Sequence, residues 1–100
     1  MTNHDYLDRL ARMARRVRFD DLSPSTVAAA KAVVLDTIGA ILAGSVLDEN
    51  SKLADLAAER SGHRTATIIG RARKAEPMFA TLANATAGVA FEVDEGNRWG

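Results

Sequence analysis

Apolar residues return every three or four positions from the start of the chain. Tyr6, Leu7, Leu10, Met13, Ala14 and Val17 form one stripe, and the spacing predicts a helix from Asn3 to Val17. Asp5 and Asp8 near its start and Arg12, Arg15 and Arg16 near its end match the helix dipole, so the arginines read as a solvated helix end. Phe19 to Leu22 is a short connection. Ser23 is placed to act as an N-cap, and Pro24 as the first residue of a second helix, where the missing N–H costs nothing. This helix is expected to continue to about Ala43, with Gly44 as its C-terminal stop. Val27, Ala30, Val34, Ile38, Ile41 and Leu42 form its core side. Val33 and Leu35 widen the apolar surface, which predicts a central helix buried on several sides. Gly39 inside it costs about 1 kcal/mol against alanine, and the simplest reason is the close approach of a neighbouring helix. Asp36, in the same apolar stretch, needs polar partners if it is partly buried.

Asp48 to Ser51 reads as a polar link. Lys52 to Arg60 reads as a third helix with Leu53, Leu56 and Ala57 inward, ended by Ser61-Gly62. His63 follows as a surface histidine. Thr65 to Ile69 is β-branched, short and bounded by Gly62 and Gly70, which makes it the one strand candidate. A lone strand is not stable, so it needs a partner elsewhere or is an extended connection. Arg71 to Glu76 reads as a charged loop without the glycine spacing of a phosphate loop. Pro77 opens a fourth helix to about Phe91. Its inner side, Ala80, Ala83, Asn84, Ala87 and Gly88, is small enough for close backbone packing. Asn84 is then either a buried amide bonded to a neighbouring backbone or a group reaching a site. The expected fold class is mainly α, about four helices with at most one short strand.

Composition narrows the function classes. Thirteen basic residues balance thirteen acidic ones, so the basic footprint of a nucleic-acid binder is missing. No apolar run approaches the roughly 20 residues needed to span a bilayer. The opening Met-Thr-Asn-His-Asp-Tyr lacks the layout of a secretory signal, and cysteine is absent. The expectation is a cytoplasmic protein with no membrane or nucleic-acid partner.

Chemistry concentrates at the far end. Glu92, Asp94 and Glu95 bring three carboxylates into four residues, directly after the fourth helix. In a continued helix Glu92 and Glu95 would share a face, although Gly96-Asn97 favours a break. Repulsion among clustered carboxylates favours keeping a proton on one of them, which suits a general acid or base. Trp99-Gly100 completes no helix or turn, so the chain reads as cut within a feature, the front end of a larger enzyme.

Three segments, in order, resemble one family. Leu22-Ser23-Pro24, followed by Ala30-Lys31 and Leu35-Asp36-Thr37-Ile38-Gly39-Ala40-Ile41-Leu42-Ala43-Gly44, looks like an early helix of the MmgE/PrpD family. That family includes 2-methylcitrate dehydratases and cis-aconitate decarboxylases. Ala83-Asn84-Ala85-Thr86-Ala87 looks like its alanine-asparagine-glycine-threonine helix. Phe91-Glu92-Val93-Asp94-Glu95-Gly96 sits where many members carry an aspartate-rich segment. The resemblance implies a cofactor-independent, metal-free lyase acting on small di- or tricarboxylates, usually a homodimer, with a helical domain and a separate α/β domain. Residues 1–100 would then be the opening portion of the helical domain. It implies Glu92 and Asp94 as catalytic acid/base or orienting groups, with Glu95 on the third acid of the motif as substrate-binding. A polyanionic substrate needs cationic partners, for which Arg98 is the local candidate, and Asn84 is the candidate on the fourth helix for reaching the substrate. Val89 stands where histidine often precedes the acidic motif, Ala85 replaces the common glycine, and Gly96 offers no hydroxyl. These departures argue against a straightforward cis-aconitate decarboxylase. Two other readings remain open at the level of the sequence. One is a magnesium site on Glu92, Asp94 and Glu95. The other is a non-catalytic helical module that dimerises through its apolar surface.

Overall fold

The computed structural model describes residues 3–93. It contains four helices and a two-stranded antiparallel hairpin: α1 (Asn3–Arg16), α2 (Pro24–Ser45), α3 (Asp48–Arg60), β1 (Ala66–Thr67), β2 (Lys74–Ala75) and α4 (Pro77–Gly88). The fold is mainly α, as the periodicities predict. The chain divides into two compact units, one up to Lys31 and one from Ala32.

In the first unit a 3₁₀ turn, Phe19–Asp21, follows α1. The Asp21 carboxylate accepts the Arg18 N–H at 2.9 Å and pins that turn. Ser23 caps α2 as expected. Its hydroxyl accepts the Thr26 N–H at 3.2 Å, and its carbonyl accepts the first helical bond from Val27 at 3.1 Å. That satisfies donors which a helix start otherwise leaves unpaired. The apolar stripe of α1 is exposed from Tyr6 to Val17.

The second unit holds a core built chiefly from alanine. Ala54, Ala57 and Ala58 of α3, Ile68, Ala75 of β2, and Ala80 and Ala83 of α4 are buried together, with Ala66 and Phe79 packed against them. The strand candidate finds its partner in the segment expected to be a loop. Ala66 pairs with Ala75 and Thr67 with Lys74. Gly70 makes the return possible with φ +85°, and the Arg71 N–H closes the turn onto the Ile68 carbonyl at 3.1 Å.

Several expectations are corrected. Gly44 does not stop α2, which runs on to Ser45. The close approach expected at Gly39 occurs at Gly44 instead. No atom of a neighbouring element lies within 4 Å of a Cβ placed on Gly39, whereas one placed on Gly44 would overlap the Ala87 carbonyl of α4. The buried residues of α2 are Ala40, Gly44 and Ser45. Val34 and Leu35 are 58% and 71% exposed, and Asp36 is exposed rather than buried. Among the described residues most of the helix is therefore exposed, and its last turns meet α4. It is also 22 residues long and, by length and composition alone, apolar enough to cross a membrane. Lys31 and Asp36 break any uncharged run, yet the alanine-rich average stays apolar. Helix α3 starts four residues earlier than Lys52, since the supposed link forms its first turn. Its inner face carries Ala54, Ala57 and Ala58, while Leu56 is exposed. Helix α4 ends at Gly88 rather than near Phe91.

Candidate functional site

The residues singled out by chemistry lie on α4 and directly beyond it, so the site begins with what holds that helix. Its start is latched to the end of α3. The buried Ser61 hydroxyl donates to the Ala57 carbonyl at 2.7 Å and accepts the Glu76 N–H at 2.7 Å. Glu76 returns the contact, its Oε1 accepting the N–H groups of Gly62 at 3.2 Å and His63 at 3.4 Å. Pro77 then sits at the first helical position, where its fixed φ suits the helix. Arg64 covers the C-terminus of α3 by donating through Nε to the Ala58 carbonyl at 3.0 Å.

The middle of α4 is held by Asn84. Its Oδ1 accepts the Ile69 N–H at 2.9 Å, and its Nδ2 donates to the Thr67 carbonyl at 3.0 Å. These are the bonds a neighbouring parallel strand would make to the residues on either side of Ile68. The side chain therefore stands in for a strand beside the residue that anchors the hairpin in the core. Of the two roles open for Asn84 on sequence, the structure displays the backbone-bonding one, with both ends of the amide engaged.

The end of α4 is packed against α2. Gly88 lies so near Ile41 that a Cβ there would be 3.1 Å from Ile41 Cγ1. The end of α2 is covered in turn. Asn50 Nδ2 donates to the Gly44 carbonyl at 2.9 Å, and Arg71 Nη2 to the Ser45 carbonyl at 3.4 Å. Beyond Gly88 the chain turns at once. The Val89 N–H still reaches the Ala85 carbonyl, and the Glu92 N–H closes onto the Val89 carbonyl at 3.2 Å. Glu92 lies in the left-handed region at φ 56°, the only described non-glycine residue with positive φ. A side chain there costs about 1–3 kcal/mol of backbone strain, a cost that clusters at functional positions. The Glu92 carboxylate is exposed.

Helix α4 ends at Gly88 and does not continue to Glu92. Asp94, Glu95 and Arg98 lie outside the described residues. Among the described residues no group of three or more His, Cys, Asp or Glu is placed to hold a metal ion. Sequence reasoning passed over Ser61, Glu76 and Arg71 as loop residues. The one available signal was serine at a helix stop facing glutamate one residue before proline, and both turn out to be latches.

Residues 8–96 match the model of the MmgE/PrpD N-terminal domain. Neither a curated protein nor a solved structure matches the chain.

Proposed function

Since this chain belongs to the MmgE/PrpD family through that N-terminal domain, we propose that it forms the opening part of the helical domain of a cofactor-independent lyase acting on small di- or tricarboxylates of the 2-methylcitrate type. The observation that carries this reading is the family match across residues 8–96. The placement of Glu92 supports it: a latched helix ends abruptly and delivers an exposed carboxylate from a strained backbone.

In this reading Glu92 takes a proton from the carbon beside a substrate carboxylate. The electron pair left behind forms the carbon–carbon double bond as the adjacent C–O bond breaks. The departing hydroxide gains a proton from a neighbouring acid, Asp94, and leaves as water. In a decarboxylating variant the C–C bond to a carboxylate breaks, carbon dioxide leaves, and the acid protonates the carbanion. Glu95 and Arg98 orient the polyacid, with Arg98 as the local cation for its charge. Asn84 supports that wall from behind by holding α4 to the hairpin. The protein works in the cytoplasm as a homodimer, an arrangement that gives the apolar residues of α2 a surface to pack against.

The test is an assay of the full-length protein with 2-methylcitrate and related polyacids. It follows alkene formation, carbon dioxide release and exchange of the carbon-bound proton with deuterated solvent. Turnover in any of these that falls with Glu92→Gln supports the proposal. Turnover untouched by that substitution removes Glu92 from the mechanism, and inactivity on every polyacid removes the lyase reading.

A further inference from the structure

The turn that carries Glu92 takes its position from α2. Helix α4 ends at Gly88, and hydrogen-bonded turns follow at once. The Ala90 N–H donates to the Ala87 carbonyl at 3.3 Å, and the Glu92 N–H to the Val89 carbonyl at 3.2 Å. The Glu92 backbone, at φ 56°, is thereby referred to the last residues of α4. Gly88 is buried, and a Cβ on it would stand 3.1 Å from Ile41 Cγ1 of α2, closer than ordinary van der Waals contact. Its φ is not positive, so the contact and not the backbone conformation calls for glycine. Ile41 cannot turn aside cheaply, because two heavy atoms on its Cβ leave one strongly preferred χ1 rotamer in a helix. The crossing is also fixed one turn along α2, where Gly44 meets the Ala87 backbone.

We propose that Gly88 and Ile41 are positioning residues for Glu92: the size of their contact sets where the end of α4 lies, and through the turns beyond it where the carboxylate is delivered. This rests on the lyase reading above, in which Glu92 takes the proton. A methyl added at Gly88 requires a displacement of a few tenths of an ångström. Misplacing a reacting group by about 1 Å costs about a hundredfold in rate, so a few tenths should lower kcat by about three- to tenfold.

The experiment is a double-mutant cycle on the full-length protein, with whichever polyacid of the assay above turns over fastest. Gly88→Ala should lower kcat and the exchange of the carbon-bound proton together, with KM within about twofold and the circular-dichroism spectrum kept. On a Glu92→Gln background the same change should have no further effect, because it acts only through that carboxylate. Ile41→Ala, which removes Cγ1, should restore kcat to Gly88→Ala, whereas Ile41→Val, which keeps a carbon there, should not. Three results overturn the positioning role alone: Glu92→Gln lowers kcat but Gly88→Ala does not, Gly88→Ala costs as much on the Glu92→Gln background as on the wild type, or Ile41→Ala gives no rescue. Full activity of Glu92→Gln, or inactivity on every polyacid, overturns the underlying catalytic reading and the positioning role with it.

Discussion

Gly44 of α2 and Ala87 of α4 cross in backbone contact: a Cβ on Gly44 would lie 2.7 Å from the Ala87 carbonyl carbon. Only hydrogen fits at that crossing, and no flexible side chain is there to give way. Gly44→Val should destabilise the protein by about 1–3 kcal/mol through overpacking. Gly39→Ala is the internal control. Nothing lies within 4 Å of its added methyl, and alanine removes the entropic cost of glycine in a helix, so a gain of about 0.5–1 kcal/mol is expected. Denaturant titration of the two variants checks both signs, and equal effects would mean that the helices do not cross at Gly44.

Ser61→Ala should cost about 1–3 kcal/mol. The Glu76 N–H loses its acceptor at a position where the hydroxyl is buried, and an unpaired buried donor carries its full desolvation penalty. Glu76→Gln keeps an oxygen for the Gly62 and His63 N–H groups and should cost less than Glu76→Ala. Thermal unfolding of the three variants tests that order.

Asn84→Leu removes both bonds to β1 at once. The expected readout is local as well as global. Hydrogen exchange at the Ile69 amide, which now donates to Asn84 Oδ1, should accelerate far more than exchange at amides in the middle of α3. Uniform acceleration across the second unit would show that Asn84 contributes to general stability without a particular hold on the hairpin.

Glu92 separates stability from activity. Glu92→Gly relieves the left-handed backbone and should stabilise the fold by about 1 kcal/mol. In the full-length protein the same change should lower kcat by about 10²–10⁴, the usual worth of a proton-transfer group. Glu92→Asn, which tolerates the same φ, should resemble glycine more than glutamate in both measurements. A variant that is stabilised and fully active would leave the strain without a catalytic use.

The local chemistry of this protein was legible in its sequence wherever it is decided within a few residues. Ser23-Pro24 starts α2 and Pro77 starts α4, because caps and fixed φ angles act on their own turn. The small inner face of α4 was visible for the same reason: helical spacing alone puts Ala80, Ala83, Ala87 and Gly88 together, and all four are buried. The family likeness resting on Leu35 to Gly44 and Ala83 to Ala87 was equally readable, and the match over residues 8–96 bears it out. Tertiary structure decided what depends on a partner distant in the chain. In sequence Gly39 reads as the close-packed glycine of α2 and Gly44 as its stop, but it is Gly44 that meets another backbone, because contact depends on where α4 crosses α2. A strand of two residues is stable only when paired, so β2 could not be seen in a charged segment until the turn at Gly70 folded it back on β1. Asn84 carried both a structural and a ligand reading in the sequence. Which hydrogen bonds it makes was decided by the hairpin backbone lying beside it, since a side-chain amide has no preference until partners of the right spacing are brought within about 3 Å.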